Sequence, residues 1–293
     1  MGGHGKVYLT GEITTKTEIL RAAFLCDVDE IVERIAGKDI EVWDMNIVVQ
    51  SSEIANGVDT GGAGDQGIMI GYACDDNEEL VPQEYYLARS LAKFIYEKHP
   101  YDGKTQITTK DGIIDVIVAS FQNVPQKELK ELITDWYAQE GIEDVKDFTI
   151  HANPAGDWNQ GGFDSDAGVT GRKLAVDNYG PQVNIGGGAF SGKDGTKVDR
   201  SGAYMARYIA VDLLKKHDAE VVKVSLAYAI GVKEPVMAKA LIVHKDHDVD
   251  ELDVIKDYNL TPKGIIDHLG LTEPKFEETA EWGHFGNGFT WDK

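Results

Sequence analysis

Apolar residues recur at helical spacing in several stretches of the chain. Over 17–35, Ile19, Leu20, Ala23, Phe24, Ile31, Val32 and Ile35 can share one broad face. A second helix is predicted over 82–97, with proline suited to its first turn and Leu87, Leu91, Phe94 and Ile95 in phase. A third is predicted over 127–139, where Leu129, Leu132, Ile133 and Trp136 face inward. Residues 199–216 read as a strong helix capped by Asp199 or Ser201, and 262–269 as a short one. Strand patterns fall at 44–50, 105–109, 113–121, 148–153, 221–230 and 236–244. Lys110-Asp111-Gly112 is a turn signal that makes a hairpin of the second and third strands, and 57–71 reads as a glycine-rich turn region. Short turns joining many strands favour an α+β fold with antiparallel sheets over a doubly wound parallel sheet. No repeat is visible at the residue level.

Residues 155–195 break the pattern. They are rich in glycine and charge, and connections that long are usually functional or disordered. Trp158, Phe163, Val176, Tyr179 and Phe190 are interleaved there and argue against disorder. At the other end, His4 is flanked by glycines and reads as a disordered terminus.

Composition narrows the function. A chain of 293 residues has room for two or three cores. Its 50 acidic against 29 basic residues, a formal net charge of −21, disfavour nonspecific binding to nucleic acid or anionic membranes. Local basic clusters therefore stand out. Cys26 and Cys74 match no metal spacing and suggest no disulfide framework, which points to a reducing cytoplasm. No apolar run is long enough to span a bilayer, and no secretory signal opens the sequence.

The densest chemistry lies in Gly186-Gly187-Gly188-Ala189-Phe190-Ser191-Gly192-Lys193-Asp194, followed by Lys197 and Asp199. Glycines let backbone amides approach an anion and lysines neutralise it, while nearby aspartates suggest a metal-bound polyphosphate. Residues 187–193 begin like a P-loop, but Asp194 stands where that motif needs Ser or Thr. Other clusters are Glu12 in GEITT (11–15); Gln50 with GVD (57–59) and GAGDQG (62–67); Asp102-Gly103-Lys104; and Asn153 through Trp158 to Asp166 and Arg172-Lys173. Each alone is more often a surface turn, a solvated charge pair or a packing aromatic. His151 and His284 have no partner at metal spacing and read as structural.

Taken together, GEITT, GAGDQG, TGRK (170–173), GGGAFSGKD with KVDRS (186–201), AYAIGV (227–232) and GHFG (283–286) resemble the S-adenosylmethionine synthetases. The resemblance runs from about Gly11 to the C-terminus. It implies three pseudo-symmetric sheet-and-helix domains, the first truncated, over 1–60, 61–157 and 158–293. It implies that methionine and ATP form S-adenosylmethionine with release of phosphate and pyrophosphate. It implies Mg²⁺, K⁺ where its site survives, and a homodimer or larger homo-oligomer with sites between protomers.

Residue by residue, Glu12, Gln50 and Asp65 match positions lining the methionine pocket, joined by Lys197 and by Asp166, which also nears the nucleotide. Asp102, Lys104, Arg172, Lys173, Ala189 and Lys193 match ATP contacts, with Lys104, Arg172 and Lys193 acting on the leaving triphosphate. Trp158 falls where the family has an adenine-stacking phenylalanine, and Asp199 matches a Mg²⁺-side carboxylate. Asp157 reverses the charge of an arginine common in the family. No His-Pro-Asp-Lys, the family's front-end motif, occurs in this sequence, and the lid expected between Gln50 and Gly62 is short. Three readings stand: the large subunit of a split enzyme completed by a separate chain, a minimal enzyme, or a noncatalytic nucleotide-binding subunit.

Overall fold

The computed structural model describes residues 1–14, 21–37, 40–50, 61–142, 148–273 and 275–293. Thr15, the start of the first predicted helix (17–20), the GVD turn (57–59) and most of the short lid lie outside the described residues.

In chain order the elements begin with β1 (Gly2–Gly3), β2 (Lys6–Ile13), α1 (Arg21–Ala36), β3 (Glu41–Val49) and β4 (Gly67–Cys74). Next come α2 (Gln83–Lys98), β5 (Gly103–Lys110), β6 (Ile113–Phe121), α3 (Gln126–Gln139) and β7 (Thr149–Ala152). The last are α4 (Leu174–Asp177), α5 (Val198–His217), β8 (Val221–Tyr228), β9 (Met237–Val243), β10 (Val249–Asp253), α6 (Pro262–Leu269) and α7 (Phe276–Glu281). They fall into two compact units, one holding 1–50 and 84–169, the other 51–83 and 170–293. Three separate sheets, with helices packed on them, give the expected α+β class.

The first unit uses one strand order twice. β1 pairs antiparallel with β2, α1 carries the chain back, and β3 lies parallel to β2. β5 and β6 form the expected hairpin, α3 carries the chain back, and β7 lies parallel to β6. The expectation of purely antiparallel sheets is corrected here: a helix between two strands supplies the long crossover that parallel pairing needs. The hairpin turns at Asp111 and Gly112, both with positive φ, the conformation that matches strand twist in a two-residue turn. α2 and α3 close the core of the second repeat through Leu87, Leu91, Ile95, Leu129, Ile133 and Trp136. His4 is not in a disordered end. The glycine run around it forms β1, and Gly2 exchanges backbone hydrogen bonds with Gly168 at 2.9 and 2.8 Å.

In the second unit the sheet order is β10-β9-β8-β4, all antiparallel, with α5 packed across it. The predicted turn region over 57–71 is too long by half a strand, because β4 starts at Gly67. Gly67 and Gly71 hid it. A Cβ on Gly71 would collide with the α5 backbone at Ala206 and Arg207, so helix and strand touch main chain to main chain. Neither Asp199 nor Ser201 caps α5; Lys197 is the N-cap residue, without a side-chain cap bond, and the two lie inside the first turn. α6 has the predicted bounds, capped by the Thr261 hydroxyl, which accepts from the Gly264 amide at 3.0 Å, with Pro262 at the first helical position.

Two buried polar groups hold this unit together. Arg207, with a fully buried side chain, donates to Asp292 Oδ1 at 2.9 Å and to the carbonyls of Tyr72, Leu80 and Glu79 at 2.6, 2.7 and 2.8 Å. Asp292 also accepts from the amides of Gly286 and Asn287. His284 is the second, fully buried in an aromatic box. Its Nδ1 meets the Tyr204 hydroxyl at 2.7 Å, and Phe190 stands edge-on to its ring at 5.0 Å. Tyr204 itself stacks on Trp291 at 3.8 Å between centroids. Burial, followed by the charge of Arg200, pushes the His284 imidazole down to about 3.

Arg207→Met leaves Asp292 and three carbonyls without their donor. It is expected to cost about 3–5 kcal/mol, with part recovered when Asp292→Asn is added. Urea titrations read both values, and a loss below about 1 kcal/mol would show that the pair holds nothing. For His284 the sign follows from its depressed pKa. The unfolded imidazole takes up a proton below about pH 6.5, but the folded one stays neutral down to about 3. Stability is therefore present above pH 6.5 and lost as pH falls, by up to about 1.4 kcal/mol per pH unit. Stability measured at steps from pH 7 to 4 should fall more steeply in the parent protein than in His284→Gln; parallel curves would contradict the assignment.

Candidate active site

The glycine loop at 186–194 is shaped by what its backbone must pass. A Cβ on Gly186 would stand 2.5 Å from the Ile68 carbonyl oxygen, and one on Gly187 would strike the Asp199 carboxylate. The loop thus lies directly on β4 and on the first turn of α5. None of these three glycines needs a positive φ. They are there for close approach. The anion their amides approach is the protein's own: Gly188 N–H donates to Asp199 Oδ1 at 2.7 Å.

Lys193 completes the arrangement. Its Nζ lies 2.7 Å from Asp199 Oδ2, with a third of the lysine side chain exposed and the aspartate buried. Burial pushes the Asp199 carboxyl up, but the Lys193 and Gly188 hydrogen bonds, the lysine's charge and a contact from Asp65 outweigh it and hold the group below its ordinary value. Asp199 is therefore an anion at neutral pH. Asp65 is exposed and accepts from the Gln66 amide at 2.8 Å.

The TGRK turn stands beside this loop. A Cβ on Gly171 would lie 2.7 Å from the Ala189 Cβ, and one on Gly192 would touch Thr170. Gly171 has φ +82°, so the turn is strained for any other residue. Arg172 and Lys173 follow it, both exposed, with Lys173 leading into α4. Lys197 takes a separate position, with Nζ 3.9 Å from Asp194 Oδ2 and 3.3 Å from Thr196 Oγ1. GAGDQG and AYAIGV also meet: Ala63 and Ile230 form a β-bridge. The second unit therefore gathers Asp65, Ala189, Lys193 and Asp199, with Arg172 and Lys173 on the adjoining turn.

The first unit holds the other predicted residues in two groups. Thr14 Oγ1 donates to Gln50 Oε1 at 2.9 Å, joining the ends of β2 and β3, with Glu12 exposed two residues before Thr14. In the other group, Asp102 Oδ2 accepts from the Gly162 amide at 3.0 Å. A Cβ on Gly161 would meet both the Trp158 ring and the Asp102 Cβ, so Asp102 and Trp158 flank one glycine. Lys104 is exposed on β5, two residues beyond Asp102. Asp166 is exposed, and its amide donates to Gly162 O at 3.2 Å. Asp157 has local work. Its carboxylate accepts from the Gln126 amide at 2.8 Å and from Asn153 Nδ2 at 3.3 Å, serving the start of α3.

Sequence reasoning missed Arg200. It is buried and donates to the carbonyls of Phe190 and Lys193 at 3.3 and 2.8 Å and to Thr279 Oγ1 at 2.7 Å. Only its place next to Asp199 in KVDRS could have signalled it. His284, read as structural, reaches Ser191 Oγ through Nε2 at 3.2 Å and so touches the loop.

Family models match nearly all of the chain beyond residue 60. The S-adenosylmethionine synthetase central domain matches 60–158, and the S-adenosylmethionine synthetase C-terminal domain matches 160–293. An S-adenosylmethionine synthase of Sulfurovum sp. is 42% identical over 83% of this chain and 71% of its own length. That of Pelagibacter ubique is 36% identical over 98% of this chain and 84% of its own. Among solved structures, an unusual S-adenosylmethionine synthetase from Campylobacter jejuni superposes with a TM-score of 0.86 at 28% identity, covering 100% of this chain and 86% of that one. Matches over both domains place this chain in the S-adenosylmethionine synthetase family.

Proposed function

We propose that this protein makes S-adenosylmethionine from ATP and L-methionine, as the large subunit of a split enzyme. The observation that carries the reading is the Lys193–Asp199 pair, set in a glycine loop against the Arg172-Lys173 turn. The methionine sulfur would attack the ribose 5′ carbon. A carbon–sulfur bond forms, the carbon–oxygen bond breaks, and its electron pair leaves with the triphosphate. Water then divides the triphosphate into phosphate and pyrophosphate. A neutral thioether is a weak nucleophile, so position and leaving-group stabilisation must supply the rate.

Lys193, Arg172 and Lys104 are the cations we assign to the departing charge. Lys173, Ala189, Asp102 and Trp158 are assigned to ATP, and the Trp158 ring offers a larger stacking face than phenylalanine. Glu12, Gln50, Asp65 and Lys197 are assigned to methionine, and Asp166 to both substrates. Mg²⁺ is often held by one or two carboxylates together with substrate phosphates and water. Among the described residues no three His, Cys, Asp or Glu side chains form a metal cage. The buried carboxylate of Asp199 beside Lys193 would fit an ion that arrives on the nucleotide, and its chemistry when bound would be charge neutralisation of the triphosphate. The K⁺ expectation rests on the family alone. So does the three-domain division at 60 and 157.

A partner is supported by the first repeat. Met45 is its only buried apolar residue among those described, while Ile31, Ile35, Val48 and Val49 are exposed. A polypeptide carrying the His-Pro-Asp-Lys segment would cover some of these exposed positions, and a homodimer would complete the assembly. Among the described residues no helix is long and apolar enough to cross a membrane, and Cys26 and Cys74 are unpaired. Both fit a cytoplasmic enzyme.

S-adenosylmethionine production should appear when this chain is mixed with that polypeptide and fall about 10²–10³-fold with Lys193→Ala in the same mixture. Production by the chain alone at the same rate would remove the split reading. No production in either mixture, with ATP still bound in calorimetry, would leave a noncatalytic binding subunit.

A further inference from the structure

Lys193 can act on a phosphate only if its loop holds still, and its glycine neighbours give it no stiffness of their own. Two buried side chains supply what the glycines lack. Arg200 Nη1 donates to both the Phe190 and Lys193 carbonyls, and Nη2 to Thr279 Oγ1. His284 Nε2 meets Ser191 Oγ, while Nδ1 meets the Tyr204 hydroxyl. A phenol that donates to Nδ1 leaves the ring proton on Nε2, facing the serine. Burial keeps Tyr204 protonated, its pKa pushed up to about 12, so the phenol has a proton to give. Carbonyls 190 and 193 and the hydroxyl of 191 are thus gripped from behind, leaving the Lys193 ammonium facing forward to Asp199.

Tight packing does not account for where Arg200 sits. One side of its surroundings is a cavity of about 380 Å³ bordered by Leu271, Thr279, Asn287 and Phe289. Hydrogen bonds, with the face of Phe276 5.0 Å from the guanidinium carbon, fix the group instead. A planar fork holds its two nitrogens apart, one toward the two carbonyls and one toward the hydroxyl; an ammonium has a single nitrogen and no fixed fork.

We propose that Arg200 and His284 are positioning residues that clamp residues 190–193 and thereby aim Lys193 at the triphosphate, an inference that rests on the phosphate role assigned to Lys193 above. Neither touches the reacting atoms. They act through the loop, and their effect passes through one lysine.

The test uses Ser191→Ala, which removes one hydrogen bond without stranding a buried charge, and Arg200→Lys, which keeps the charge and breaks the fork. Tripolyphosphate is the probe. In calorimetry each variant should weaken its binding about three- to tenfold. Added to Lys193→Ala, neither should weaken it further, because the lysine they aim is gone. Equal losses in both backgrounds would overturn the clamp as a positioning device and leave it merely structural. Backbone hydrogen exchange at 190–193 should also speed up in both variants while β4 stays protected; unchanged exchange would overturn the clamp outright. Should Lys193→Ala itself leave binding intact, the phosphate role assigned to Lys193 fails instead, and exchange alone then decides whether the clamp exists.

Discussion

The contact between the glycine loop and the buried end of α5 is the constraint on which the candidate site depends. Asp199 sits where water is scarce, and an unpaired carboxylate there would be costly. Gly188 N–H and Lys193 Nζ each take one of its oxygens. Only a chain without side chains at 186–188 can lie close enough to β4 and Asp199 for both bonds to form. One buried charge and the strand beside it thus account for the three glycines and for the place of the lysine.

Around that contact the second unit is built to resist distortion. Arg207 ties α5 to the β4 strand and to the C-terminal Asp292. The aromatic box of Tyr204, His284, Phe285 and Trp291 fills the other side. Phe190 is the link between them, a loop residue buried among ring edges. A loop rich in glycine is therefore not a soft one. Its order is imported from groups that lie more than ninety residues away in sequence or share the helix it touches.

Much of this was legible in the chain, and the failures have physical causes. α3 and α6 declared themselves because their apolar spacing and, in α6, the Thr261-Pro262 start belong to the helix itself. β4 was hidden because Gly67 and Gly71 look like turn residues; Gly71 is set by the α5 backbone pressed against the strand, which no local pattern encodes. Asp199 passes for a helix cap on local grounds and is instead the loop's counter-ion. Lys193 stood out in the sequence, and the structure pairs it with Asp199. Arg200 did not stand out, since its three acceptors are backbone carbonyls at 190 and 193 and a hydroxyl at 279, invisible to any reading of side-chain types. Asp157 stood out only by its charge; its bond to the amide that opens α3 could not be read from the sequence.

The charge balance makes the resting ion pair consequential. A protein with a formal net charge of −21 repels a polyphosphate at long range. Cations brought close to one another would help only if they did not also repel each other open in the empty state. Asp199 solves the second problem by neutralising Lys193, while a third of the lysine side chain stays exposed. Arg172 and Lys173, exposed on the neighbouring turn, are screened by salt in a way that the partly buried Lys193 is not. The electrostatic work therefore divides by depth. On the proposed reading, exposed cations on the turn would draw the anion in against the global field, and the paired lysine at the mouth of the glycine loop would supply the short-range contact that ionic strength does little to weaken.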